Sequence, residues 1–257
     1  MVRSPENAAA GREMFRFERA GSDLPFYRGA PVSISAAGWL MVLASVAIAF
    51  LALNMTQPIF PTGPGTFIPA LLFLLIPLAT LVIVAGRHAP LALFRPVRRR
   101  DAKIIVGFFL LNAVVTVALG LLVTSLLHTA ANPAGDRAAS ASGLDRVLFF
   151  GWTAIQLVGE EVFTILPFLA VLTFLDRSLP RKTAIALAAL GAAVIFALIH
   201  LPTYQWNVPQ ALIGLVPIRI ILLMPYLITR NIWASAGTHI LNDWTIFGLS
   251  MVGGAPE

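Results

Sequence analysis

The sequence predicts an all-α fold, a polytopic bundle of about seven transmembrane helices. Two observations carry this expectation. Charged residues make up only 12% of the chain against 58% hydrophobic ones, about half the charge of a soluble domain, which carries roughly 25%. The apolar residues also fall in long runs separated by short polar or basic loops. A run of about 18 residues or more with almost no charge is long enough to cross a hydrocarbon core of roughly 30 Å as a helix. Backbone groups find no water in lipid, so helices satisfy them internally. A mean hydropathy of +0.84 agrees, and a soluble helical protein with an unusually apolar core does not account for the number and length of the runs.

Residues 1–30 read as a polar cytoplasmic segment, with Arg3, Arg12, Arg16, Arg19 and Arg28 mixed with Glu6, Glu13, Glu18 and Asp23. They lack the short apolar core and small-residue cleavage site of a signal peptide. Residues 31–257 read as one transmembrane domain. The first span covers about 36–53, followed by an uncharged Pro/Gly-rich loop. The second covers about 66–85, where Pro69 and Pro77 are expected to bend it.

The loop 87–103 holds Arg95, Arg98, Arg99 and Arg100 against the single acid Asp101. The positive-inside tendency places it in the cytoplasm. A third span follows at about 104–127, then a charge-balanced Ala/Ser/Gly loop suited to the far side. The fourth, about 147–175, is interrupted only by Glu160 and Glu161. Arg177, Arg181 and Lys182 mark a second cytoplasmic loop. The fifth span is about 184–201, the sixth about 210–228 with Arg230 at its inner end, and the seventh about 232–251. This arrangement predicts a multi-pass protein of the cell membrane, of bacterial inner-membrane type, with the N-terminus cytoplasmic.

The pI near 10.7 is explained by cytoplasmic anchoring, since the basic residues flank apolar runs. No aromatic and basic interleaving points to nucleic acid, and the expected partners are membrane lipid and a peptide or protein substrate. The chain has no cysteine, which removes disulfides and thiolate metal ligands.

An ionisable group deep in a bilayer costs about 2.5–3.5 kcal/mol on insertion scales and usually marks a function. The candidates are Glu160, Glu161, His200, Arg219, His239 and Asp243; His88 and His128 read as boundary residues. Successive helical positions point about 100° apart. One of the two glutamates can therefore face a cavity while the other takes a cation or donor from a neighbouring helix. A desolvated carboxyl is what a general base for water requires; a structural pair binding helices together is the alternative. Phe196 and His200, and likewise His239 and Asp243, stand at i, i+4 and share helix faces. The second pair can orient a ring, bind a metal, line an oxyanion site or simply hold helices together. Counted from the inner ends, His239 lies roughly 12 Å deep, Glu160 about 20 Å and His200 about 20–25 Å, so a common site requires tilt or kinks.

These residues resemble the CPBP family of intramembrane proteases, the CAAX protease or Abi family that includes Rce1 endopeptidases. The family pattern is Glu-Glu-x-x-x-Arg, then Phe-x-x-x-His, then His-x-x-x-Asn or Asp. The chain carries Glu160-Glu161-Val-Phe-Thr-Ile165, Phe196-Ala-Leu-Ile-His200 and His239-Ile-Leu-Asn-Asp243, in that order within about 145–250. The resemblance implies that Glu160 activates water together with His200, that His239 and Asp243 stabilise the oxyanion or complete a metal site, that Glu161 supports them, and that Phe196 shapes the pocket. It leaves metal dependence open; a divalent metal such as zinc would fall to Glu160, His200 and His239.

The sequence departs from the pattern at one position, where the arginine is replaced by Ile165. Arg219, mid-span on another helix, is expected to supply the missing charge. The leading expectation is an intramembrane endopeptidase acting on a membrane-associated peptide or protein. A non-catalytic scaffold or bacteriocin-immunity-type protein of the same fold, and a proton-coupled transporter, are the alternatives.

Overall fold

A computed structural model describes residues 14–18 and 23–253. The described residues are helical and contain no strand. The helices are α1 (Ala36–Thr56), α2 (Phe67–Ala85), α3 (Ala89–Leu93), α4 (Arg99–Leu126), α5 (Pro133–Ser140), α6 (Gly143–Leu175), α7 (Arg181–Ile199), α8 (Val208–Thr229) and α9 (Ile232–Gly253), with a 3-10 turn at Gly63–Thr66 before α2.

Six helices among the described residues, α1, α2, α4, α6, α7 and α8, are long and apolar enough to cross a membrane. The chain is a multi-pass membrane protein. Of the about seven spans expected, six meet this criterion of length and composition. The segment expected as the seventh does form a helix of 22 residues, α9. It falls outside the set because Thr238, His239, Asn242, Asp243 and Thr245 dilute its apolar character. Pro69 lies in the first turn of α2, where its missing N–H has no helical partner to lose, and Pro77 lies inside that helix.

The centre of the bundle is α6, whose apolar window is 89% buried, whereas that of α4 is 6% buried and presents Val106, Leu110, Val114, Val117 and Leu121 outward. At 33 residues, α6 is about 50 Å long, more than a bilayer's hydrocarbon thickness. It packs against α1, α2, α7 and α9. In lipid such packing depends on close backbone approach rather than on burying apolar surface from water. Two glycines provide that approach on the α2 side. A Cβ on Gly151 would meet the Phe67 ring at 2.9 Å, and one on Gly159 would meet the Phe73 ring at 2.7 Å. On α7, Ala184, Ala188, Ala192 and Ala193 are buried in the same way.

The turn between α8 and α9 consists of Arg230, left-handed at φ 59°, and Asn231. The Asn231 side chain exchanges hydrogen bonds with the backbone of Arg95 and accepts one from the Trp233 N–H. So short a turn makes α8 and α9 antiparallel neighbours. The described part of the N-terminal segment is also packed: Leu24, Phe26 and Tyr27 are buried in the core. Glu18 accepts from Arg181 (2.6 Å) and Arg230 (2.6 Å), and Asp23 from Arg181 (2.6 Å) and Tyr27 (2.6 Å). Arg28 pairs with Asp176.

Candidate active site

The glutamate pair sits midway along α6, and the two side chains diverge as helical geometry requires. Glu160 lines a cavity of about 330 Å³ together with His200, His239, Asp243 and Tyr204. Glu161 is fully buried and points to α8 and α9. Its Oε1 accepts from Arg219 Nη2 at 2.6 Å and lies 2.9 Å from His239 Nδ1. Arg219 and Glu161 are both shielded from solvent, so each supplies the counter-charge that makes the other's burial tolerable. The cation absent at Ile165 thus reaches the carboxylate from α8. Ile165 itself is a buried core residue.

Hydrogen-bond chemistry fixes the orientation of His239. A carboxylate only accepts, so Nδ1 must carry the proton it gives to Glu161. Arg219 Nη1 stands 3.4 Å from the same nitrogen, but both are donors, and the guanidinium serves Glu161 instead. The other ring nitrogen, Nε2, is left facing the cavity, 3.9 Å from Glu160 Oε2 and 3.7 Å from Asp243 Oδ1. His200 caps α7, with Pro202 two residues beyond, where a helix commonly stops. Its Nδ1 lies 2.7 Å from the Phe196 carbonyl, an acceptor, so Nδ1 is again the protonated nitrogen and Nε2 carries the lone pair in the neutral ring.

Phe196 joins these groups. Its ring lies 4.4 Å from that of His200 and 6.3 Å from that of His239, and the Arg219 guanidinium sits over it at 4.7 Å. All seven residues singled out from the sequence therefore meet around one cavity or directly behind it. No hydrogen bond joins Glu160 and His200 directly among the described residues. Nor, among them, does any group of three or more His, Asp or Glu side chains have an arrangement able to hold a metal ion. The trio Glu160, His200 and His239 is accordingly not gathered as a ligand set.

Four further polar residues were not foreseen. Gln156 donates to Glu160 Oε1 at 3.2 Å, and Asn112 donates to Asn242 at 2.9 Å while Asn242 donates to Asp243 at 3.0 Å. Tyr204 lines the cavity from the turn after α7. Burial and the neighbouring Asp243 push its phenol up to about 12, so it remains a donor at neutral pH. Gln156 stands one turn before Glu160 on the same face, and Asn112 is an amide inside an apolar run. Widening the search from ionisable groups to amides within apolar runs would have found both.

A helical membrane bundle with titratable groups from several helices on or directly behind one cavity is the class defined by this arrangement. The family model described as Rce1-like, type II CAAX prenyl endopeptidase, matches residues 142–245. That stretch runs from α6 into α9 and contains all three motifs, and over it the chain is similar to the CAAX prenyl endopeptidase family. No curated protein and no solved structure matches the chain.

Proposed function

We propose that the protein is an intramembrane endopeptidase that hydrolyses a peptide bond with a water held between Glu160 and His200. The observation that carries this reading is the division of labour in the glutamate pair. Glu161 is committed to Arg219 and His239, while Glu160 faces the cavity and, among the described residues, accepts a side-chain hydrogen bond from Gln156 alone, on one of its oxygens. A carboxylate with an oxygen open to a cavity roomy enough to admit water suits a general base. His200 Nε2, an acceptor on the same cavity, can take the second proton of the water. Attack on the peptide carbonyl generates an oxyanion, and Tyr204 O–H, on the same cavity, can donate to it. His239 Nε2, between Glu160 and Asp243, can carry a proton to the leaving amine. Arg219 and Glu161 act behind it by fixing the ring.

Cleavage of an internally quenched peptide by the purified protein in lipid vesicles tests the reading. Glu160→Gln should lower the rate by about 10²–10⁴-fold with an unchanged melting temperature. Full cleavage by that variant would remove the hydrolytic role. A scaffold would instead retain its biological effect in the variant, and a transporter would show proton-coupled flux.

A further inference from the structure

The cavity has a definite end. Its lining includes Gln57 at the close of α1, Asn132 and Arg137 at α5, and Thr203 and Tyr204 after α7. Other contacts tie these loops together. Gln210 exchanges hydrogen bonds with the backbone of Ala130, and Asn207 donates to the carbonyl of His128. Gln57, Phe60 and Pro61 share a smaller hollow with Arg137 and Gln156. The loops between α1 and α2, α4 and α6, and α7 and α8 therefore form one face of the bundle, and the cavity reaches it.

The opposite face holds the other three connections. Between α2 and α4 stand Arg87, Arg95 and Arg98, with Arg99, Arg100 and Lys103 at the start of α4, and beside them Arg177, Arg181, Lys182 and Arg230. The Asn231–Arg95 and Glu18–Arg181–Arg230 contacts show that these belong to one end. The cavity-side loops at 57–66, 127–142 and 200–207 carry Arg137 and Asp136 as their only Lys, Arg, Asp or Glu. Exposed tryptophans occur at both ends, Trp206 near the cavity and Trp233 at the basic face, as expected of two interfaces. They do not distinguish the sides, whereas the cations do.

We propose that the cavity opens on the non-cytoplasmic side of the membrane, so that the segment it takes is a peptide presented from that side. The sidedness stands on charge and geometry alone; the peptide occupant rests on the endopeptidase reading. A cytosolic lipidated C-terminus is the wrong class of substrate for this orientation, and an exported or partly translocated chain is the right one.

The absence of cysteine makes the test direct. Thr62→Cys and Ala131→Cys place single thiols at exposed positions on the cavity face, and Val97→Cys and Ser178→Cys place them at exposed positions on the basic face. None of these changes alters a charge, and two positions per face allow for one variant failing to accumulate. A membrane-impermeant maleimide should label the first pair in sealed right-side-out vesicles and lose that labelling in inside-out ones, with the reverse for the second pair. The opposite pattern, or equal labelling of both pairs, overturns the proposal. A soluble quenched peptide added to the same vesicles separates the two claims. Cleavage confined to right-side-out vesicles supports both, and cleavage confined to inside-out vesicles overturns the sidedness. Cleavage in neither, with the expected labelling, removes hydrolysis and leaves the sidedness standing.

Discussion

At the scale of single residues, the site separates groups that face the cavity from groups that hold them. Tyr204→Phe removes one donor and little volume. It should lower kcat by about 10²–10³-fold if the phenol receives the oxyanion, with KM nearly unchanged, as steady-state kinetics would read. Arg219→Ala acts differently, because it leaves Glu161 charged in a dry interior with the His239 N–H but without its guanidinium counter-charge. The expected cost is about 3–5 kcal/mol of stability, measured by denaturant titration in detergent. Adding Glu161→Gln should recover part of it. Arg219→Lys should not substitute, since one ammonium cannot reproduce the guanidinium's contacts with both the carboxylate and the Phe196 face.

At the scale of elements, the position of Glu160 depends on how closely α2 approaches α6. Gly159→Ala puts a methyl group where Phe73 already lies. Overpacking of this kind costs about 1–3 kcal/mol, and the displacement falls on the residue next to the proposed base. Thermal melting and peptide cleavage measured together should both decline. The α8–α9 hairpin shows what was legible in the sequence and what was not. Arg219 and His239 stand on either side of the Arg230–Asn231 turn, roughly 16 Å and 12 Å along their respective helices. Their meeting could be read from spacing once the turn was known to be short. The short helices α3 and α5 could not be anticipated, because brief loop helices have no sustained periodicity. The polar stripe that identified α9 as functional is also what lowers its hydropathy below that of the other spans.

For the whole molecule, the positive loops and the order of the long helices were legible because lipid imposes length and composition directly. The docking of the N-terminal segment was not, since its charges read as solvated when their partners lie more than 150 residues away. Burial alone would push the Glu18 and Asp23 carboxyls up, but hydrogen bonds from Arg181 outweigh it and hold both below their ordinary values of 4.5 and 3.8. A carboxyl lowered in the folded state contributes stability fully above its unfolded value and loses it as pH falls through the folded one. The melting temperature should therefore be insensitive to this cluster near pH 7 and fall below about pH 4. Glu18→Gln should flatten that fall while lowering the plateau.

The guanidinium beside Glu161 arrives from a different helix than the family string prescribes, and this has a consequence for reading related chains. Position 165 lies one turn beyond Glu161, so either address can serve the same carboxylate. An exchange variant, Ile165→Arg with Arg219→Leu, should fold better than Arg219→Leu alone. A string-based search that insists on the contiguous form will discard proteins in which the cation has merely changed its address.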